Sequence, residues 1–546
     1  MRIGMAQINS SLGHFSANRQ KIVSFAREAL RLKCDLVLFP ELTLFGYIPQ
    51  DLLERQSIVS EQLKEFEKLQ KQIPAGIAVI VGVVTLNTAA SRPGLGGKPY
   101  LNTAALLIKG RKPQFFHKQL LPTYDVFDEA RHMEPGSLAK NEFRFKGHKI
   151  LMTICEDIWG WELPSHPSNY LTNPLMALKK NNYDLVLNMS ASPYTNQKAN
   201  DRRYVIEKTA RHFGAPLIYV NMVGAQDEII FDGASVAVDA SGETLAQSAQ
   251  FSEELNVMDL DLREGSFCAP IASKTAELRQ ALVLGLRDYV QKTGFQKVHL
   301  GLSGGIDSAV VACLAVEALG AENVVGFILP SAFNLDLSKD LALKLAQNLG
   351  VRTYTLPIEK PYEVMLQTLQ DGLGVFEFGL TNENLQSRLR GTLLMAFSNK
   401  ERSLLLSTSN KCEYATGYST LYGDMCGALA PLGDVLKGEI FKLAHDYNES
   451  SEIIPTAIIT RPPTAELRPN QKDQDSLPPY DELDKAIRSL VEKQNPARTK
   501  IEKWLLRKME LTEFKRWQAP PILKVSAHAF GRGRRMPIAA GPGFLK

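Results

Sequence analysis

Short apolar runs of five to seven residues recur along the whole chain, at 35–39, 78–84, 149–154, 184–188, 216–220 and 297–302, with helix-like segments between them. Strands alternating with helices argue for α/β architecture from end to end. Several of these runs close on a polar or reactive residue, and ligands gather at the carboxyl ends of strands in open α/β sheets. At 546 residues the chain is too long for one ordinary core, so two domains are expected. The run 255–260 reads as the last strand of the first. A polar stretch, Arg263-Glu264-Gly265-Ser266, follows it. Leu278, Leu282, Leu286 and Tyr289 then recur at helical spacing and lead into the strand 297–302. This places a first domain at 1–262, a linker at 263–275 and a second domain at 276–546. Segment 456–480 is rich in proline and charge and reads as a long functional loop. Gly531-Arg532-Gly533-Arg534-Arg535 reads as a solvated surface.

Charge and composition narrow the class. The chain has 63 basic and 59 acidic residues, a net charge of +4, which does not point to nucleic acid or a membrane surface as partner. No apolar run reaches the length of a membrane span. The start, Met1-Arg2-Ile3-Gly4-Met5-Ala6, reads as a strand, not as a secretory leader. The six cysteines are scattered without metal-type pairing and read as reduced thiols, so a cytoplasmic location is expected.

Three segments of the first half carry chemistry: Phe39-Pro40-Glu41, Lys118-Gln119-Leu120-Leu121-Pro122-Thr123-Tyr124 and Ile154-Cys155-Glu156-Asp157. Amide cleavage by a thiol needs a base to take the thiol proton and a cation or N–H donors to face the oxyanion. Glu41, Lys118 and Cys155 supply a base, a cation and a nucleophile. The ordinary readings of each alone are a capping glutamate, a loop lysine and a small buried cysteine.

These three segments resemble, in order and separation, the catalytic motifs of the nitrilase superfamily. The resemblance covers residues 1 to about 262. It implies an αββα sandwich and thiolate chemistry through a thioester. Glu129 resembles the extra glutamate that some members place beside the triad; otherwise it reads as a cap or ion-pair partner. Tyr124, and Ser190-Ala191-Ser192-Pro193-Tyr194 ahead of Lys198, resemble the glutaminase branch fused to NAD synthetases. That resemblance assigns Tyr124, Ser192 and Lys198 to holding free glutamine.

In the second half a strand runs into Gly301-Leu302-Ser303-Gly304-Gly305-Ile306-Asp307-Ser308 and on into a helix. Glycines let a backbone approach phosphate, and a helix N-terminus adds N–H donors and the positive end of a dipole. No lysine follows the glycines, so this is not a Walker loop, and their spacing is not that of a dinucleotide fingerprint. The segment resembles the phosphate loop of the ATP pyrophosphatases, which adenylylate a substrate oxygen. The resemblance implies a Rossmann-like parallel sheet, ATP as substrate and magnesium on Asp307.

Further segments, 381–391, 407–413, 417–424, 431–437, 461–467 and 513–520, resemble the synthetase domain of NAD synthetases throughout. That resemblance implies ATP contacts at Thr408, Lys437 and Thr464. It implies a second magnesium carboxylate at Glu413, which also lies against deamido-NAD, and deamido-NAD contacts at Asn384, Asp424 and Lys515. It further implies assembly into a homo-oligomer. Ser409 stands where the family usually has glycine and Cys412 where serine is common; 331–340 matches poorly.

Together the two halves imply ATP-dependent amidation of deamido-NAD with ammonia drawn from L-glutamine. Ammonia in neutral water is mostly ammonium, which cannot attack, so an enclosed internal route between the domains is expected. The alternatives are another glutamine-dependent amidotransferase on the same ATP loop, a hydrolase with a binding-only nucleotide domain, and a nucleotide-sensing regulator.

Overall fold

The computed structural model describes residues 1–90, 97–164, 167–374, 377–469 and 471–540, and the chain divides into two units, Met1–Ile271 and Ala272–Lys546. In the first unit a seven-stranded sheet has the order Glu264–Gly265, Glu254–Asp259, Arg2–Gln7, Leu36–Leu38, Ala78–Leu86, Tyr100–Ile108, Gln114–His117. A six-stranded sheet has the order Thr244–Gln247, Val236–Val238, Leu217–Asn221, Leu185–Ser190, His148–Ile154, Glu142–Phe145. The strands joined through helices pair in parallel, as Arg2–Gln7 does with Leu36–Leu38 and Leu185–Ser190 with Leu217–Asn221.

Alternation along the strands decides the layers. Ile3, Met5, Leu36, Leu38 and Ile80 face inward and meet Ile150, Met152, Leu185 and Leu187 of the other sheet, all fully buried. Their neighbours Val37, Phe39, Val79 and Val81 face outward. They pack on Ile22 and Ala26 of helix Phe15–Arg31 and on Phe66 and Leu69 of helix Gln56–Gln72. Across the sandwich, Val186, Leu217 and Tyr219 pack on Val205, Ile206 and Phe213 of helix Lys198–Phe213. The result is an αββα sandwich. A slip of one residue would exchange its two hydrophobic faces, so the register is firmly set.

One glycine fixes the approach of the segment that carries Glu41. A Cβ on Gly82 would lie 2.1 Å from the backbone nitrogen of Leu42, so only glycine lets this strand lie against the turn carrying Glu41. The polar stretch that reads as linker differs in the structure: Glu264–Gly265 is an edge strand paired with Met258 and Asp259. Gly265 permits this, because a Cβ there would come within 2.5 Å of the Ala246 Cβ.

The second unit holds a four-stranded, wholly parallel sheet in the order Arg352–Thr355, Val324–Ile328, Val298–Gly301, Leu404–Leu405. Helix Ile306–Leu319 follows the central strand and is buried along most of its length. Helix Lys274–Lys292 precedes it, with Ser273 Oγ accepting from the Ala276 N–H as an N-cap. A helical cluster centred on Cys412, Tyr414, Leu483, Leu505 and Ile522 completes the unit. Among the described residues, segment 456–480 contains the short helix Thr456–Thr460 and a 3-10 turn at Asp473–Asp475, and it ends where helix Tyr480–Ile487 begins. The basic tail is not purely solvated, because Arg534 forms an ion pair of 2.7 Å with Glu513. Among the described residues no helix is long and apolar enough to cross a membrane.

Candidate active sites

Lys118 and Cys155 follow directly on the strands Gln114–His117 and His148–Ile154, and Glu41 lies three residues past the end of Leu36–Leu38. Lys118 Nζ donates to Glu41 Oε1 at 2.7 Å and to the two oxygens of Glu129 at 2.8 and 2.9 Å. Tyr47 Oη donates to Glu129 at 2.6 Å. Asn102 Nδ2 donates to Glu41 Oε1 at 2.7 Å, and the Ala191 N–H to Glu41 Oε2 at 3.1 Å. The whole cluster is buried. Burial alone would pull the lysine pKa down, but Glu129 and Glu41 more than reverse this, so the ammonium persists.

Cys155 sits at the turn from strand His148–Ile154 into a 3-10 turn, with φ +44. A non-glycine residue there carries about 1–3 kcal/mol of strain. Asp157 over-determines the geometry. One of its oxygens accepts from the Ile154 N–H, the other from the N–H groups of Gln119 and Leu120, each at 2.9 Å. One carboxylate thus ties the thiol turn to the lysine segment. Burial still pushes the Asp157 carboxyl up to about 7. Burial, with the charge of Glu41 beside it, holds the Cys155 thiol well above its ordinary range, against the pull of Lys118. The resting thiol is therefore protonated.

Around the thiol lie the residues assigned to glutamine. Tyr124 Oη donates to Glu156 Oε1 at 2.8 Å, and Tyr170 Oη to the same oxygen at 2.9 Å. Burial pushes the Glu156 carboxyl up. Lys198 Nζ lies 5.0 Å from the Trp159 ring centroid and 5.9 Å from that of Phe127, and burial lowers its pKa. Ser192 is buried, and its Oγ has no hydrogen-bond partner among the described residues.

In the second unit the glycine turn is prefolded by its own hydroxyls. The Gly305 N–H donates to Ser303 Oγ at 3.2 Å, and Ser308 Oγ donates to the Gly305 carbonyl at 3.0 Å. Gly304 has φ +73, and a Cβ there would lie 2.2 Å from the Ser338 carbonyl oxygen. The turn opens on a cavity of about 300 Å3. Gly301, Leu302, Ser303, Gly305, Ile306, Asp307 and Ser308 line it, with Thr408, Glu413, Asp424, Lys437 and Thr464. Lys437 Nζ pairs with Asp307 Oδ2 at 2.6 Å. Asn410 Nδ2 donates both to Asp307 at 3.0 Å and to Glu413 at 3.1 Å. Burial, then the neighbouring charge of Asp307, holds the Glu413 carboxyl well above its usual range. Two part-buried hard-oxygen donors sharing one amide suit a divalent cation.

Gly304, Asn384 and Lys515 do not line the cavity. Asn384 accepts from Thr420 Oγ1 at 2.7 Å, and Lys515 Nζ donates to the carbonyls of Gly417 and Ser419 at 2.8 and 2.6 Å. Both therefore hold the segment that carries Asp424, whose Oδ1 accepts from the Thr420 N–H. Sequence reasoning missed Tyr47, Asn102, Glu156 as a site residue, Tyr170 and Asn410. Asn102 had a signal, an amide followed by Thr103 inside the mostly apolar strand Tyr100–Ile108. Asn410 had another, directly ahead of helix Lys411–Thr416, where its side chain accepts from the N–H groups of Cys412 and Glu413.

Residues 2–268 match the family described as carbon–nitrogen hydrolase and residues 278–519 the family described as NAD synthase. The glutamine-dependent NAD(+) synthetase of Synechocystis is 47% identical over 98% of this chain and 98% of its own. The structure of the glutamine-dependent NAD+ synthetase of Acinetobacter baumannii, a complex with ADP, is 35% identical, covers 98% of each chain and superposes with a TM-score of 0.77. That of Cytophaga hutchinsonii, 20% identical over 99% of this chain and 98% of its own, agrees in fold with a TM-score of 0.82. With a thiol–lysine–glutamate cluster in one unit and a phosphate-type turn in the other, and with such relatives spanning the full length, the chain belongs to the glutamine-dependent NAD+ synthetases, ligases that synthesise NAD+ with glutamine as nitrogen donor.

Proposed function

We propose that the first unit releases ammonia from L-glutamine at Cys155 and that the second adenylylates deamido-NAD with ATP and aminates it. Glu41 takes the Cys155 proton as the thiolate attacks the glutamine amide carbon. Lys118 faces the oxyanion that forms. The C–N bond then breaks, Glu41 returns its proton to the departing nitrogen, and a thioester remains. Glu41 next takes a proton from water, which hydrolyses the thioester to glutamate and frees the thiol. Glu129 keeps Lys118 charged and in place throughout. Tyr124, Ser192 and Lys198 hold the substrate, Lys198 at its α-carboxylate. Glu156, with one oxygen held by two tyrosines, suits the α-ammonium.

In the second unit the turn 301–308 cradles the triphosphate, with Thr408, Lys437 and Thr464 around it. Asp424, Asn384 and Lys515 bind or frame deamido-NAD. Its nicotinate carboxylate attacks the α-phosphorus of ATP and pyrophosphate leaves. Ammonia then attacks the acyl carbon, AMP departs, and the amide of NAD is left. Asp307 and Glu413 would hold magnesium, which offsets phosphate charge when bound. The observation that carries this reading is the part-buried Asp307–Asn410–Glu413 group beside the glycine turn. Turnover with deamido-NAD, ATP, magnesium and glutamine should yield AMP and pyrophosphate in equal amounts with NAD. ADP and orthophosphate as products would refute it.

A further inference from the structure

Arg390 lies on helix Leu380–Glu401, one turn before Leu394, and both line the cavity beside the glycine turn. The cavity has two ends of different character. Ser303, Ser308, Lys437 and Thr464 mark the phosphate end. Leu329, Leu394 and Leu405, which pack in one hydrophobic cluster, make an apolar end suited to a flat base. Arg390 belongs to the apolar end, because its Nε donates to the Leu329 carbonyl at 3.0 Å.

The guanidinium is uncompensated. Among the described residues no carboxylate lies within ion-pair distance of it, and its Nη1 takes no hydrogen-bond partner. Burial pushes its pKa down to about 10, with Glu466 and Asp424 opposing from a distance. A cation held in a cavity wall with one edge uncommitted is a recognition element in want of an acceptor or a π face.

Its aim is fixed from behind. Asn334 Oδ1 accepts from Arg390 Nη2 at 3.0 Å and from the Ser331 N–H at 2.8 Å, while Asn334 Nδ2 donates to Glu466 Oε2 at 3.1 Å. A guanidinium only donates and a carboxylate only accepts, so the amide has one orientation. Glu466 is buried with φ +49, outside the usual range for its type. Ser338 Oγ donates to its other oxygen at 2.5 Å and Arg461 pairs with that oxygen at 3.5 Å. The reaction as derived above uses neither Arg390 nor Glu466.

We infer that Arg390 is a further nucleotide-binding residue, its guanidinium contacting the adenosine half of ATP, and that Asn334 and Glu466 are positioning residues that aim it. This rests on reading the cavity as the ATP site.

The test is calorimetric titration of full-length wild type, R390K, E466Q and the double variant with ATP, with AMP and with pyrophosphate, all with magnesium. R390K keeps the charge and loses the planar fork. Loss of one charge-assisted contact should weaken ATP and AMP by about tenfold or more. Pyrophosphate should bind all four proteins alike. E466Q should show a smaller loss on the same two ligands, and the double variant should be no worse than R390K, since both act through one contact. In steady state, R390K should raise KM for ATP and leave KM for deamido-NAD unchanged. AMP binding untouched by R390K, pyrophosphate binding weakened instead, or fully additive losses would each overturn the assignment alone. Wild type that binds neither ATP nor AMP would overturn the nucleotide reading, and the assignment with it.

Discussion

Lys118 is shared between Glu41 and Glu129, so three buried charges sum to a single negative one. In a low-dielectric site such a cluster is stable only while complete, and removing one partner of a buried pair costs about 3–5 kcal/mol. Lys118→Met should therefore abolish glutamine hydrolysis and lower the melting temperature of the first unit, followed by glutamate release and by calorimetry. Unchanged stability would mean that the two carboxylates do not depend on the lysine. Asn102 acts more narrowly, as one of three donors to Glu41. Asn102→Ala should lower kcat for glutamine hydrolysis roughly tenfold, the scale of a mispositioned base, with little change in KM. A raised KM at constant kcat would instead place Asn102 in substrate binding.

At the scale of elements, strand Val298–Gly301 carries the glycine turn and also a buried imidazole. His299 Nε2 lies 2.9 Å from the Leu394 carbonyl and Nδ1 2.9 Å from Ser403 Oγ. A carbonyl cannot donate, so Nε2 carries the proton and Nδ1 accepts. Burial pushes the pKa down to about 4. The unfolded imidazole binds its proton near 6.5, so between pH 6.5 and about 4 the unfolded state holds more protons and stability falls as pH falls. The full effect is roughly 3 kcal/mol, lost by pH 4 and intact above pH 6.5. Denaturant unfolding of wild type and His299→Asn should show a stability gap that shrinks from pH 7 to pH 4.5. A gap independent of pH would mean that His299 does not resist protonation. The edge strand Glu264–Gly265 shows the limit of reading elements from sequence. Its composition is that of a linker, and only pairing with Met258 and Asp259 makes it a strand.

For the molecule as a whole, the proposed division of labour makes a direct prediction. Cys155→Ala should lose glutamine-driven NAD synthesis and keep ammonia-driven synthesis near the wild-type rate, measured as NAD formed with each nitrogen source. Equal loss of both would end the proposal that the two units do separate chemistry. Much of the architecture could be read in advance. Each of the six apolar runs is a strand, and the turn at 301–308 joins strand to helix, because periodicity and turn chemistry act over a few neighbouring residues. What the chain alone could not give is which distant groups meet. Lys118 and Glu41 are 77 positions apart, Asn410 and Asp307 103, Lys437 and Asp307 130. Tyr47 and Asn102 carried no motif, and Glu466 resembled any loop carboxylate until Asn334, Ser338 and Arg461 closed around it. The sequence by itself determined the apolar strands, their order and the family. Tertiary structure alone decided the hydrogen-bond partners of the buried charges, because a polar group removed from water must find its partner wherever packing brings one.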